Sequence, residues 1–184
     1  TLYNNLMKIV LSYMESRGKL LDIGCGVGTF LKIAKQARID VKGIEISDFA
    51  SSYARNQYNL DVLKGEFKKD YFTKDEFDII TMLDVIDHSE DPLNFLLDAY
   101  YILKRNGYIF IQTTMEDSLI YDISKYIYKL TLGLIQKPVQ KGHPIHHATF
   151  FTKKTLKNTL EFCGYKTKDV KPGQYSAKFF PGGY

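Results

Sequence analysis

The stretch that decides the fold reads Leu20-Leu21-Asp22-Ile23-Gly24-Cys25-Gly26-Val27-Gly28-Thr29. An apolar run breaks into glycines at alternate positions and then continues at helical spacing, which predicts a strand, a tight turn and a helix. Glycine allows the backbone to turn sharply and to approach a ligand closely. The first turn of the following helix also has N–H groups without partners inside the helix. We therefore expect this loop to bind a nucleotide.

The third glycine separates this loop from dinucleotide-binding loops. Their fingerprint is G-x-G-x-x-G, whereas Gly28 lies one position early and Thr29 stands where the last glycine is expected. A pyrophosphate is therefore not the first expectation. Glu45 ends the next apolar run, about twenty residues further on, which is the spacing at which an acid reaches ribose hydroxyls. Loop and acid together predict a ligand that contains ribose.

Length and composition indicate a globular protein. The 184 residues, 21.2 kDa, fit one domain over 1–184 that buries roughly 70% of the surface of the unfolded chain. A hydrophobic share of 45% and a charged share of 25% exclude a wholly disordered chain. No window is apolar enough for a membrane span. Cys25 and Cys163, without a secretory segment, predict no disulfide framework and a cytoplasmic location.

Charge is divided unevenly along the chain. Residues 1–124 contain 14 lysines and arginines against 19 acids, whereas residues 125–184 contain 11 against 2. A basic region attracts an acidic substrate, a nucleic acid or a membrane surface, although scattered lysines more often form a solvated face.

Apolar periodicity predicts strands that alternate with helices. Strands are expected at 19–23, 41–46, 60–63, 77–83, 108–114 and 165–171, and helices at 2–15, 29–37, 48–58, 92–103 and 155–162. Residues 104–107 are expected to close the fourth helix, and residues 115–148 to form a cap or substrate segment. A seventh strand would have to come from residues 174–180, and its presence stays open. This order predicts an α/β fold with a doubly wound, mostly parallel sheet and ligands at the carboxyl ends of its strands.

Five motifs in this order resemble the class I S-adenosylmethionine-dependent methyltransferases: LLDIGCGVGTFL, GIEIS, LDVIDHSEDP, LKRNGYIFIQTT and HHATFFTKKTLKNTLEFCGY. The chain is most similar to the small-molecule branch related to ubiquinone-biosynthesis O-methyltransferases, over residues 18–170. The resemblance implies a Rossmann-like fold with three layers. It also implies methyl transfer from S-adenosylmethionine to an oxygen or nitrogen of a small molecule, with S-adenosylhomocysteine as product. This cofactor has no phosphate, which accounts for the shifted third glycine. The basic C-terminal region favours an acidic molecule as the acceptor.

The resemblance assigns two groups of cofactor-binding residues. Those at the methionine part are Asp22, Gly24, Cys25 and Gly26 of the loop, together with Leu83 and Asp84 at the end of the fourth strand. Those at the nucleoside are Glu45 for both ribose hydroxyls, Ile46 against the adenine, and Glu66 with the Phe67 backbone at the adenine edge. The family usually has Asp where Glu66 stands.

Two histidines are the candidate catalytic residues. The resemblance matches His88 to the histidine of the DVIDH motif and His147 to the one before the FF-T turn, and a histidine can remove a proton from an acceptor near neutral pH. Structural roles stay open for both. His143, His146 and His147 lack a neighbouring carboxylate or thiolate, so no metal site is expected.

Two other functions stay open. The basic C-terminal third is compatible with a nucleic-acid-binding modifier or a noncatalytic S-adenosylmethionine-binding subunit, although only four arginines argue against sequence-specific contacts. A nicotinamide-dependent dehydrogenase fits Glu45 but not Thr29.

Overall fold

The structure, a computed structural model, describes residues 2–14, 18–113, 149, 151–170 and 177–181. These residues form one seven-stranded sheet with helices on both faces. The helices are α1 (Leu2–Leu11), α2 (Thr29–Gln36), α3 (Asp48–Tyr58), α4 (Pro92–Ile102) and α5 (Lys153–Phe162), and 3₁₀ turns span Lys69–Tyr71 and Ile86–His88. The strands are β1 (Lys19–Ile23), β2 (Asp40–Glu45), β3 (Asp61–Lys64), β4 (Phe77–Leu83), β5 (Leu103–Gln112), β6 (Tyr165–Val170) and β7 (Ala177–Pro181).

The strand order places a switch point in the middle of the sheet. The order is β3-β2-β1-β4-β5-β7-β6, and the five strands β1 to β5 are parallel to one another. The chain moves outward from β1 to β3 and then returns to place β4 on the other side of β1. Ligands of open α/β sheets bind outside the carboxyl ends of the strands at such a point. The predicted doubly wound, mostly parallel sheet is confirmed.

The seventh strand is present. β7 lies between β5 and β6 and is antiparallel to both, with Phe110 opposite Lys178 and Tyr165 opposite Pro181. It joins β6, its neighbour in sequence, to β5, which lies more than 60 residues earlier, and the pattern of residues 174–180 does not identify that second partner.

Each face of the sheet has its own apolar core. On one face, Val10 of α1, Ala34 of α2 and Ala54 of α3 cover Leu20 and Phe110. On the other face, sheet residues and the buried sides of α4 and α5 form the second cluster, with Leu21, Ile80, Ile109, Leu96 and Leu160 among its members. Neighbouring residues of one strand, such as Leu20 and Leu21, therefore face opposite layers, as the pleat of a strand requires. The three-layer arrangement is confirmed.

Two helices begin at the residues that the sequence indicates. The Ser47 hydroxyl accepts the backbone N–H of Ala50 at 3.3 Å, which caps α3. Asp91 caps α4 by accepting the N–H of Asn94 at 3.1 Å, and Pro92 is the first helical residue. Both caps satisfy N–H groups that the helix itself leaves unpaired.

The end of α4 differs from the prediction. Residues 104–107 do not close the helix but belong to β5, which begins at Leu103. They form an irregularity, because Phe77 pairs with Leu103 while Ile79 already pairs with Tyr108. The stretch also contacts β4 through Asp78, whose two carboxylate oxygens accept from the Lys104 ammonium at 2.9 and 2.8 Å.

The predicted cap, residues 115–148, lies outside the described residues. None of the helices that the structure describes is long and apolar enough to cross a membrane.

Candidate functional site

The three loop glycines have different surroundings. All three lie in the left-handed region, with φ of 70°, 53° and 79° at Gly24, Gly26 and Gly28. A methyl group on Gly24 would come within 2.3 Å of the Val85 side chain, and one on Gly28 within 2.6 Å of Leu60. A methyl group on Gly26 would meet no atom of the described residues within 4 Å. Gly24 and Gly28 therefore allow close packing, whereas Gly26 borders open space at the switch point.

Several amides of the loop already have acceptors within the protein. The N–H groups of Gly24 and Cys25 both donate to the Ile44 carbonyl oxygen, at 2.8 and 3.2 Å. The N–H of Gly26 donates to Oε2 of Glu45 at 2.8 Å. A phosphate-binding loop instead directs its N–H groups at the ligand. The loop therefore fits a ligand without a phosphate better than it fits a dinucleotide.

Glu45 is held rigidly at the end of β2. Its side chain is 9% exposed, and its second oxygen, Oε1, accepts the N–H of Ser47 at 2.8 Å. A carboxylate offers about four lone-pair sites, so each oxygen retains one for a further donor. Glu45 is thus oriented by two backbone amides and can still accept from two hydroxyl groups, as a ribose diol requires.

Asp22 lies one strand away, beneath the loop. It is 2% exposed, and Oδ1 accepts a hydrogen bond of 2.5 Å from the hydroxyl of Thr81, a fully buried residue of β4. Burial raises the pKa of Asp22 to about 7. The hydrogen bond from Thr81 lowers the pKa and the negative charge of Glu45 raises it.

Asp84 lies at the carboxyl end of β4, next to the partly buried Leu83. Its side chain is exposed, its φ is +57°, and its N–H donates to the Gln112 carbonyl oxygen at 2.8 Å. The Gln112 amide donates to Oδ2 of Asp84 at 3.1 Å. Asp84 is thereby fixed to the end of β5, and its carboxylate faces the same edge of the sheet as Asp22 and Glu45.

The residues expected at the adenine lie beside Glu45. Ile46 follows β2 directly and is 70% exposed, an unusual position for an apolar side chain at a strand end. The N–H of Gly65 donates to the Glu45 carbonyl oxygen at 2.9 Å, which holds the turn carrying Glu66 against the end of β2. The Glu66 side chain is exposed, whereas Phe67 is buried in the core and leaves only its backbone for a ligand.

Residues 3–169 of the chain match the methyltransferase domain family. The chain belongs to this family. The match confirms the resemblance on which the identification as a class I S-adenosylmethionine-dependent methyltransferase rests, and this family and fold imply S-adenosylmethionine as the cofactor. The open space at Gly26, the amides already bonded within the loop and the oriented Glu45 carboxylate all fit that molecule.

Individual relatives of this methyltransferase domain differ in length and name. The ubiquinone biosynthesis O-methyltransferase of Hydrogenovibrio crunogenus is 26% identical over 128 residues, which cover 64% of this chain and 52% of that protein. The sterol 24-C-methyltransferase of Saccharomyces cerevisiae is 29% identical over 163 residues, 82% of this chain and 40% of that protein. The chain therefore spans about half, or less, of the length of these curated relatives.

A solved structure supports the fold. A methyltransferase of Thermotoga maritima, described as S-adenosylmethionine-dependent and a possible histamine N-methyltransferase, has a TM-score of 0.69. It is 21% identical in sequence, and the match covers 98% of this chain and 89% of that one.

Cys25 of the methyltransferase loop directs its thiol away from the open space. The residue is 8% exposed, and a methyl group on Gly43 of β2 would come within 2.7 Å of its sulfur atom. Burial, followed by the charges of Asp22 and Glu45, raises the pKa of the thiol. The side chain is therefore a core residue, and only the backbone of Cys25 is available to a ligand.

His88 ends the 3₁₀ turn that follows β4. Its side chain is exposed, and its N–H donates to the Val85 carbonyl oxygen at 3.0 Å. The preceding Asp87 is buried, and its carbonyl oxygen accepts the N–H of Thr149 at 3.0 Å. The second candidate base, His147, lies outside the described residues, two positions before Thr149 in the sequence.

Two further residues of the site were not expected from the sequence. Thr81 contacts Asp22, and a hydroxyl within the apolar run 77–83 was the signal that could have indicated it. Tyr3 of α1 packs with its ring 5.9 Å from that of Phe30. Burial raises the pKa of the Tyr3 phenol, and the charges of Asp22 and Asp84 raise it further, so this phenol lies near both carboxylates.

Proposed function

We propose that the chain binds S-adenosylmethionine at the carboxyl ends of β1, β2 and β4 and methylates an oxygen or nitrogen of a small molecule. The observation that supports this most strongly is the pair of backbone hydrogen bonds that orients Glu45 toward the open space at Gly26. Such an arrangement fits a ribose diol and leaves no free loop amide among Gly24, Cys25 and Gly26 for a phosphate.

The proposed cofactor site has two ends. At the nucleoside end, Glu45 accepts the ribose hydroxyls, Ile46 covers one face of the adenine, and Glu66 with the Phe67 backbone meets the adenine edge. At the methionine end, the loop backbone at Gly24, Cys25 and Gly26 borders the ligand, and Asp22, Leu83 and Asp84 lie beneath and beside it. Carboxylates suit this end because the methionine part carries an ammonium group and a sulfonium group.

The bound cofactor supplies an electrophilic methyl group. The chain aligns the acceptor with that group and excludes water, and for a protonated acceptor it also removes a proton. We assign the proton removal to His88 or His147. The exposure of His88 at the turn after β4, on the edge of the sheet that carries Asp84, supports this role.

The acceptor class rests on the relatives. An O-methyltransferase of ubiquinone biosynthesis is among the curated relatives, and a possible histamine N-methyltransferase shares the fold. The basic composition of residues 125–184 favours an acidic acceptor. Methyl transfer to carbon, as the name of the sterol relative describes for that protein, is the competing outcome.

Titration calorimetry with S-adenosylhomocysteine, NAD and a single-stranded RNA tests the proposal. We expect saturable binding of S-adenosylhomocysteine and none of NAD. Formation of S-adenosylhomocysteine from S-adenosylmethionine is then measured with a panel of phenolic acids, amines and sterols. Tight RNA binding that weakens steeply with salt, with no turnover of any small acceptor, would instead favour the nucleic-acid alternative.

The role of His88 has its own readout. His88→Ala and His88→Gln should lower turnover at pH 6 to 8 and remove the limb of the pH–rate profile that reports the base. If both variants keep the wild-type profile with a phenolic acceptor, the base is another group.

A further inference from the structure

Asp22 and Thr81 form an isolated polar pair inside the sheet. The two residues face each other across β1 and β4, in the register that pairs Asp22 with Thr81. Their side chains are 2% and 0% exposed, and the hydroxyl donates to Oδ1 over 2.5 Å. The only other acceptor near this hydroxyl among the described residues is the Leu21 carbonyl oxygen at 3.4 Å. The orientation of the Asp22 carboxylate is therefore set chiefly by Thr81.

Among the described residues, the titratable groups that interact with Asp22 are acidic or neutral. Glu45 of β2 raises the pKa of Asp22, and Asp22 in turn raises the pKa of Tyr3 on α1 and of Cys25 in the loop. Asp84, at the end of β4, acts on the same Tyr3 phenol. A charge on Asp22 is thus opposed by burial and by Glu45, and the hydrogen bond from Thr81 favours it.

We propose that Thr81 is a positioning residue that keeps Asp22 available as an anion, and that this anion makes the site prefer S-adenosylmethionine over S-adenosylhomocysteine. The inference rests on the cofactor site proposed above. It deepens that proposal, because it concerns how the same site distinguishes the methyl donor from the product.

The two ligands differ by one charge. Both carry an ammonium and a carboxylate group, but only the methyl donor has a cationic sulfonium sulfur. An ionised carboxylate beneath the loop attracts the donor more than the product, whereas a protonated one treats the two nearly alike. The preference should therefore increase with pH as Asp22 ionises, around pH 7. Product release is favoured by the same difference.

The test compares the affinities of the two ligands by titration calorimetry between pH 5.5 and 8.5. For the wild-type chain, the ratio of the two dissociation constants should increase by about threefold to thirtyfold in favour of the donor. Thr81→Val has nearly the same shape but lacks the hydroxyl that lowers the pKa of Asp22. In this variant the increase in the ratio of dissociation constants should occur at higher pH, and the preference for the donor at pH 7 should fall about threefold. Thr81→Ser, which restores the hydroxyl, should recover the wild-type profile.

A control and a second measurement keep the outcomes distinct. Thr113→Val removes the hydroxyl of another buried threonine, directly after β5, and should leave the profile unchanged. If Thr81→Val does not fold, the wild-type chain can be studied by calorimetry in buffers of different ionisation enthalpy, which reports the number of protons released on binding. If the donor binds preferentially to the ionised Asp22, it should release more protons at pH 7 than the product does. A preference that does not change with pH overturns this inference alone, whereas failure of both ligands to bind overturns the cofactor site as well.

Discussion

The two sides of the candidate site are built differently. At the ends of β1 and β2, Asp22 and Glu45 are buried, and each accepts short hydrogen bonds from a strand hydroxyl or backbone amides. At the turn after β4, His88 is exposed. Rigid buried acceptors suit a cofactor that is the same in every reaction cycle, and exposed groups suit an acceptor that enters and leaves. Under the proposed function, this contrast separates a preformed binding side at β1 and β2 from an open reactive side at the turn after β4.

Replacement of Glu45 by alanine should have the largest effect. The change removes the acceptor of two hydroxyl groups, each worth about 1.5 to 3 kcal/mol when the acceptor is charged. Affinity for S-adenosylhomocysteine should fall at least about a hundredfold, as measured by titration calorimetry. Glu45 also accepts the N–H of Gly26, so its removal can destabilise the loop. Thermal unfolding measured in parallel distinguishes this effect from the loss of the contacts to the ligand hydroxyls.

Glu90→Ala is the matched control for this variant. Glu90 is an exposed acid on the open side, and its removal should leave the affinity within about twofold of wild type. Unchanged affinity in a folded Glu45→Ala protein would remove the ribose contact from the proposed site and weaken the contrast between the two sides.

The loop glycines sharpen the comparison within the binding side. Gly24→Ala places a methyl group against Val85 at a left-handed position, which should lower the free energy of unfolding by about 3 kcal/mol. Gly26→Ala faces open space and should cost only about 1 kcal/mol for its backbone conformation. In a chemical denaturation series, we expect the first variant to lose stability and the second to lose mainly cofactor affinity. Wild-type cofactor affinity in Gly26→Ala would mean that the ligand does not occupy the space beside Gly26.

Asp22→Asn should stabilise the protein without its cofactor at alkaline pH. The pKa of Asp22 is raised from 3.8 to about 7, so the native state keeps this proton to higher pH than the unfolded chain does. Its contribution to stability is complete below pH 3.8 and is lost as the pH rises through 7. At pH 8 the neutral amide should therefore increase the free energy of unfolding. The net increase should be about 2 kcal/mol, because the variant also loses the hydrogen bond that the Thr81 hydroxyl donates to the charged carboxylate.

Denaturant unfolding at pH 5 and pH 8 provides the measurement. The stabilisation by Asp22→Asn should be much smaller at pH 5, where the native carboxyl is already neutral. A variant that is less stable than wild type at both pH values would show that Asp22 is ionised and satisfied in the native protein.

Much of the fold follows from local pattern. Apolar runs located β1 to β5, and the predicted starts of α3 and α4 at residues 48 and 92 are confirmed, because helix caps and burial act over a few residues. The prediction that 104–107 close a helix is wrong, since this stretch lies within β5, whose pairing with β4 joins residues far apart in the chain. β7 depends on two partners that its own sequence does not identify.

In the candidate site, too, some residues are indicated by local sequence motifs and others meet only through tertiary structure. Motif spacing was enough to indicate Glu45 and the glycine loop, which are close in sequence. Thr81 and Asp22 are 59 residues apart and meet only because β4 pairs with β1. Tyr3 approaches Asp22 and Asp84 only through the packing of α1 on the sheet. Contacts of this kind depend on tertiary structure, and no local pattern predicts them.

His88→Ala should have the smallest effect on the folded protein, and this is what distinguishes the open side from the binding side. The His88 side chain is exposed, and substitutions of exposed side chains usually change the free energy of unfolding by less than about 0.5 kcal/mol, which is the change we expect here. Affinity for S-adenosylhomocysteine should stay within about twofold, because Glu45 and the loop are unaffected. Both quantities come from denaturant unfolding and calorimetry on one preparation. A loss of several kcal/mol would instead make His88 a structural part of the turn after β4, and the proton would then have to be removed by another group.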